Sequence, residues 1–185
     1  MKRKTTLLIA ISIVALIIFY YLKLNNSYYN LSNSTENVCY TSKLSTVHGN
    51  SLSPLINDSE KVLLLEGYYN CHNISRNDIV AFKLKTKPQP FVKIVKGLPN
   101  DTLEFRGSYA YINGKLLVNS EGKPYIFSER ARRILSIPLI NNKILDGTYL
   151  VLGNKIREEE SFDSRYFGYI SKDQIVGKVV KIKSS

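Results

Sequence analysis

The hydrophobic positions fall into two regimes. Thr5 to Leu22 (TTLLIAISIVALIIFYYL) runs for eighteen residues without a charge, and as a helix rising about 1.5 Å per residue it would span roughly 27 Å, close to the hydrocarbon thickness of a bilayer. No amphipathic face interrupts it, so it reads as a membrane segment rather than a buried core helix. From Lys61 on the pattern changes to short β-branched and aromatic runs between turn signals: Lys61–Glu66, Asp78–Leu84, Phe91–Lys96, Thr102–Phe105, Tyr109–Ile112, Leu116–Val118, Tyr149–Leu152 and Ile175–Ile182. These predict an all-β domain. Asn113-Gly114, set between two apolar runs, predicts a tight hairpin, and Ser128–Leu135 is the one stretch that predicts a short turn of helix.

The flanks of the apolar run orient it. Met1-Lys2-Arg3-Lys4 stays on the cytoplasmic side, and Tyr20, Tyr21 and Lys23 suit the opposite interface, so the chain reads N-in and C-out. A cleaved signal peptide is the competing reading, but the run exceeds the roughly 7–15 residues of an h-region, and Tyr-Tyr-Leu-Lys-Leu-Asn lacks small cleavage-site residues. The predicted organisation is a cytoplasmic tail and transmembrane anchor over residues 1–23, an Asn-, Ser- and Tyr-rich spacer over 24–40, and an extracytoplasmic β-rich domain over 41–185.

Composition narrows the chemistry. The net charge of +11 invites a nucleic-acid reading, but Lys2, Arg3 and Lys4 supply three of those charges and export removes the partner. Cys39, His48, Cys71 and His72 are the only Cys and His residues, and their spacing is not that of a zinc finger. Neither a metal nor an organic cofactor is expected, nor is nucleic acid. Cys39 and Cys71, exported, are left either as a disulfide or as two thiols, because pairing depends on a separation that only the tertiary structure sets.

Two polar residues stand out. Val47-His-Gly-Asn-Ser51-Leu-Ser-Pro54 is a Gly-containing turn that presents a Ser before a Pro-fixed bend. Phe91-Val-Lys93-Ile-Val-Lys96 alternates so that Lys93 lies between Phe91 and Val95 on one strand face, where desolvation lowers an amine's pKa. Lys96 falls on the other face beside Gly97 at the strand's end, where solvent is easier to reach. A turn Ser is ordinarily a capping hydroxyl and a strand Lys ordinarily a solvated one.

The order of blocks reverses both readings. The Ser51 turn, Asp78-Ile-Val-Ala-Phe82, Phe91-Val-Lys93-Ile-Val-Lys-Gly97-Leu-Pro-Asn-Asp101, Gly153-Asn154 leading to Ser161-Phe-Asp163-Ser-Arg165-Tyr-Phe-Gly168, and Ile175-Val-Gly177 follow one another over residues 45–180. In that order they resemble the bacterial type I signal peptidases, membrane-anchored Ser/Lys endopeptidases. The resemblance implies a mainly β, signal-peptidase-like antiparallel domain behind one N-terminal transmembrane helix, in the bacterial cytoplasmic membrane. It implies Ser51 as nucleophile and Lys93 as general base. Ser161 would hydrogen-bond the Lys amine, Asp163 and Arg165 would form an ion pair beneath the site, and Leu52 would line the pocket for a small residue before the cleaved bond. Signal-peptide-bearing precursors of Ala-x-Ala type and membrane lipid are the implied partners, with the export translocon a further candidate. His48 is a less suitable base than Lys93, since no carboxylate orients it within its turn.

Several positions depart from the family pattern. Leu52 replaces Met, Ile94 replaces Arg, and Gly153-Asn154-Lys155-Ile156 lacks the family's Asp and Arg, with Arg157-Glu-Glu-Glu160 lengthening the approach to Ser161. These departures leave two alternatives beside a general signal peptidase: a peptidase dedicated to one pilus, conjugation or secretion substrate, and a non-catalytic, membrane-tethered homologue that binds precursors.

Overall fold

The computed structural model describes residues 16–23 and 39–182. The chain divides into two units between Val38 and Cys39. In the first, residues 16–23 are helical (α1). Most of the predicted span over 5–22 and of the spacer over 24–40 lies outside the described residues, and among those described no helix is long and apolar enough to cross a membrane.

The second unit is mainly β. Its strands are β1 (Thr41–Thr46), β2 (Lys61–Glu66), β3 (Ile79–Phe82), β4 (Phe91–Gly97), β5 (Leu103–Arg106), β6 (Tyr109–Ile112), β7 (Lys115–Leu116), β8 (Thr148–Leu152), β9 (Ile170–Ser171) and β10 (Ile175–Lys181), with helices α2 (Glu129–Ser136) and α3 (Ser164–Phe167). One sheet runs in the order β1-β2-β10-β3-β4-β8-β9, and β5-β6-β7 form a second. Every pairing is antiparallel.

The predicted hairpin forms at Asn113-Gly114, where both residues take the positive φ that a primed turn requires (50° and 75°). The predicted helical turn becomes α2, whose N-terminus is capped by Ser128 Oγ accepting from Ala131 N–H. Two strands were not legible. β1 (TSKLST) carries a single apolar residue because it is a mostly exposed edge strand, so no buried face imposes alternation. β9 is only two residues long.

Period-two alternation places side chains on two faces of the large sheet. On β3, Val80 and Phe82 join Val95, Tyr149, Val151 and Ile170 on one face. Ala81 joins Leu52, Ile56, Val62, Ile94 and Val179 on the other. β4, between β3 and β8, is buried over its last five residues. A separate core ties α2 to the small sheet through Ala131, Leu135, Leu103 and Ile112, and to β8 through Leu150 and Leu152.

Cys39 and Cys71 form a disulfide with their Cα atoms 6.1 Å apart. The β1–β2 register, Thr41 opposite Glu66, carries residue 39 alongside the turn that follows β2. The bond closes a loop with a sequence separation of 32, a constraint on the unfolded chain equivalent to about 3–4 kcal/mol. Reductant is therefore expected to lower the melting temperature of the wild type and to leave a Cys39→Ser/Cys71→Ser variant unaffected.

Candidate active site

The turn between β1 and β2 holds Ser51. Val47 and Ser59 close its base through Val47 N–H to Glu60 O (3.0 Å) and Ser59 N–H to Val47 O (2.8 Å). Gly49, at φ 90°, donates its N–H to Asp58 Oδ1 at 2.6 Å. Leu52 (1% exposed) and Ile56 (0%) anchor the turn in the core, which leaves Ser51 between two fixed points and only half-buried. Leu52 is thus a core residue, packed in the same cluster as Ala81 and Ile94.

Lys93 sits at the middle of β4 opposite Val80. Its neighbours Phe91 and Val95 pack into the apolar cluster on that face, as the alternation predicts. The side chain is 4% exposed. Its Nζ lies 2.8 Å from Ser51 Oγ and 3.0 Å from Val92 O. The amine is pushed down to about 8, chiefly by burial, with Asp163 opposing the shift and Arg165 adding to it. A Lys at its ordinary pKa is almost wholly ammonium at pH 7. Here a usable fraction is neutral, and a neutral amine at this distance can accept the Ser hydroxyl proton. His48, the other base weighed from sequence, is exposed.

Beneath the pair, α3 supplies the support. Asp163 caps α3: its Oδ1 accepts from Arg165 N–H (3.1 Å) and Nε–H (2.9 Å), and its Oδ2 from the Arg165 terminal nitrogen (2.7 Å) and Gly153 N–H (2.9 Å). Both side chains are 0% exposed. Arg165 also donates to Lys155 O (3.1 Å) and Ile156 O (2.8 Å), so its guanidinium organises the approach to Ser161 that sequence marks as divergent. The pair is therefore a buried, fully engaged one, not a solvated surface pair.

Two details differ from the sequence expectation. Ser161 is buried, but its Oγ has no hydrogen-bond partner, so the bond to Lys93 is not formed; the Lys93 amine is engaged by Ser51 Oγ and Val92 O. Lys96 lies on the face of Ile94, as parity requires, yet it is buried (6% exposed) rather than near solvent. The β4–β8 register shifts between Val95 and Gly97, which makes Lys96 the extra residue of a bulge. Its amine donates to Asn77 Oδ1 and Val118 O, both at 3.0 Å. The covering segments, residues 77 and 118, are remote in sequence, and parity alone does not reveal them.

Sequence also left Gly153 and Asn154 without roles. Asn154 N–H donates to Ser51 O (2.7 Å), its Nδ2 to Ser53 O (3.3 Å), and its Oδ1 accepts from Ser120 N–H (2.9 Å). The residue ties the Ser51 turn to the loop after β7. The only signal for it was an Asn where the family pattern has Asp, whose carboxylate would face the Ser53 carbonyl. A Cβ at Gly153 would overlap Ser161 Oγ and lie 2.7 Å from Ser51 O. Gly153→Ala is accordingly expected to displace Ser51 and cut kcat by about a hundredfold, the order of loss for small misplacements of reacting groups, with KM for a peptide substrate much less affected.

At the far end of the sheet, Cys39, Cys71 and His72 bring donor atoms within 4.8 Å of one another. Both sulfurs are consumed by the disulfide, and the His72 ring stacks on Tyr68 at 3.9 Å. This is not a thiolate set for a metal.

Residues 3–183 match the family model described as signal peptidase, peptidase S26. The chain is 35% identical over 143 residues to signal peptidase IB of Staphylococcus aureus (strain COL), covering 72% of this chain and 73% of that one. It is 30% identical over 138 residues to signal peptidase I of Bacillus caldolyticus, covering 72% and 74%. A crystal structure of a signal peptidase I from Enterococcus faecalis V583 aligns with TM-score 0.45 at 29% identity, over 58% of this chain and 97% of that one. With its Ser51 turn, its β4 lysine and the Asp163–Arg165 segment all inside the matched span, the chain belongs to the signal peptidase family, peptidase S26, and is a serine endopeptidase.

Proposed function

We propose that this protein removes signal peptides from translocated precursors, cutting after small residues of Ala-x-Ala type, with Ser51 as nucleophile and Lys93 as general base. The observation that carries the reading is the 2.8 Å approach of the buried Lys93 amine to Ser51 Oγ. Neutral Lys93 takes the hydroxyl proton as Ser51 attacks the scissile carbonyl, then passes it to the leaving amine. Water deprotonated by the same amine hydrolyses the acyl-enzyme. The Ser51 N–H donates to the developing oxyanion. Leu52 lines the pocket for the small residue before the bond, and Asp163 and Arg165 hold the segment that carries Ser161. Ser161, whose buried Oγ makes no hydrogen bond here, is the hydroxyl that engages the amine once Ser51 is acylated.

The apolar run over residues 5–22 acts as an uncleaved, single-pass anchor in the bacterial cytoplasmic membrane, with residues 1–23 forming tail and span, 24–40 a spacer, and 41–185 the extracytoplasmic catalytic domain. Anchoring keeps enzyme and precursor in one two-dimensional layer and raises their effective concentration. Membrane lipid is thus a partner alongside the precursor, and the translocon is the natural place to meet it.

The test is full-length protein in lipid, offered a panel of Ala-x-Ala precursors, with products mapped by mass spectrometry and Ser51 probed with an acylating inhibitor. Cleavage after the small residue, lost in Ser51→Ala, together with retention in carbonate-washed membranes, is the expected result. Absence of both cleavage and Ser51 labelling would favour a precursor-binding protein. Labelling without cleavage of any panel member would favour an enzyme dedicated to one substrate.

A further inference from the structure

Lys96 is a buried cation that the chemistry above does not use. Its amine donates hydrogen bonds to two neutral oxygens, Asn77 Oδ1 and Val118 O, and lies 5.8 Å from the centroid of the Tyr125 ring, and no carboxylate pairs with it among the described residues. It opens on a cavity of about 570 Å³ that is also lined by Leu55, Ile79, Ile94, Lys115 and Ser120. That volume lies within the range of ligand pockets, roughly 300–1,000 Å³.

The cavity is tied to the Ser51 turn by two segments. Leu55 belongs to that turn, and Ser120 donates its N–H to Asn154, whose own N–H holds Ser51 O. Its charge is one-sided. Arg76, also on the wall, is spent on Asp101, both of whose carboxylate oxygens lie 2.8 Å from it, which leaves Lys96 and Lys115 as cations without an anion among the described residues. Burial holds the Lys96 amine down at about 8, with Arg76 adding to the effect, so it is mostly protonated at pH 7 and an incoming carboxylate would relieve its cost of desolvation.

We propose that this cavity is a subsite for an acidic side chain of the precursor on the mature side of the cleaved bond, with the Lys96 ammonium as its specificity-determining partner. The inference rests on the Ser51/Lys93 reading. Residues that must be small lie on the acyl side, against Leu52. A cavity of this size serves positions without that restriction, and charge complementarity selects Asp or Glu for one of them.

The experiment walks a single Glu, against Gln, through the first five positions on each side of the bond in an Ala-x-Ala peptide. Full-length protein cleaves the series, and the Ser51→Ala protein binds the same peptides carrying a fluorophore. One position after the bond should favour Glu by about tenfold in kcat/KM and in Kd, the worth of one charge-assisted hydrogen bond. The ratio should fall towards one in Lys96→Gln, remain in Lys96→Arg, and in the wild type decline as pH rises through about 8 and as salt is added. Because the readout is a ratio, a general loss of activity in a variant does not imitate it, and the wild-type pH and salt profiles test it if Lys96→Gln fails to fold. A ratio of one at every position, a preference confined to positions before the bond, or a ratio unchanged in Lys96→Gln would overturn the proposal. Failure to cleave any Gln peptide would count against the Ser51/Lys93 reading instead, and the binding arm would still decide the subsite.

Discussion

Lys93→Met is expected to lower kcat by about a thousandfold or more, the usual worth of a general base acting on a serine, and Ser51→Ala to leave only background. Lys93→Arg should be as inactive as Lys93→Met, since a guanidinium stays charged at every accessible pH. The pH profile carries the sharper information. Burial places the Lys93 amine at about 8, and the base form is the deprotonated one. Activity should therefore rise with pH, reach half its maximum near 8 and plateau above, falling by about tenfold per pH unit well below the midpoint. A rising limb centred near the ordinary Lys value of about 10.4 would mean that the amine is not desolvated as described. A limb centred near 6.5 would point to a His, and His48 would have to be reconsidered.

Breaking the Asp163–Arg165 pair should destabilise the fold strongly as well as shift the site's titration. Both side chains are 0% exposed, and their oxygens and nitrogens also hold Gly153 N–H, Lys155 O and Ile156 O. Removing one partner leaves a buried charge uncompensated, at a cost of about 3–5 kcal/mol. For a chain of this size that corresponds to a fall in melting temperature of roughly 6–20 °C, read by calorimetry. The surviving protein reports the electrostatics with opposite signs. Arg165 lowers the Lys93 pKa and Asp163 raises it, so Arg165→Met should move the activity midpoint to higher pH and Asp163→Asn to lower pH. Shifts in the same direction would show that these residues act on Lys93 only through geometry. Desolvation is the largest cause, and it persists in both variants.

The setting of Lys93 was legible because strands obey a strict period. Phe91, Lys93 and Val95 share a face whatever the rest of the fold does, and that parity predicted an amine among apolar neighbours, which the structure bears out. The same rule failed for Lys96. Parity gives the face of a residue but not what covers it, and the cover came from Asn77 and Val118, reached through the bulge at the end of β4. Edge strand β1 was missed for a related reason, since a strand buried on neither face leaves no alternation to read. The roles of Gly153 and Asn154 were invisible because both act through backbone atoms of the Ser51 turn, about a hundred residues away.

Sequence by itself determined the apolar N-terminal run, the β character of the remainder and the Asn113-Gly114 hairpin, because each is written in local periodicity or short-range turn chemistry, whereas the Ser51, Lys93 and Ser161 blocks stood out through their ordered resemblance to the signal peptidases. Tertiary structure alone decided the Cys39–Cys71 disulfide, the 2.8 Å meeting of Ser51 with Lys93, the complete burial of Asp163 and Arg165, and the enclosure of Lys96. Each of these is a matter of distance or solvent exclusion between segments far apart in the chain, set by strand register and packing rather than by any local pattern.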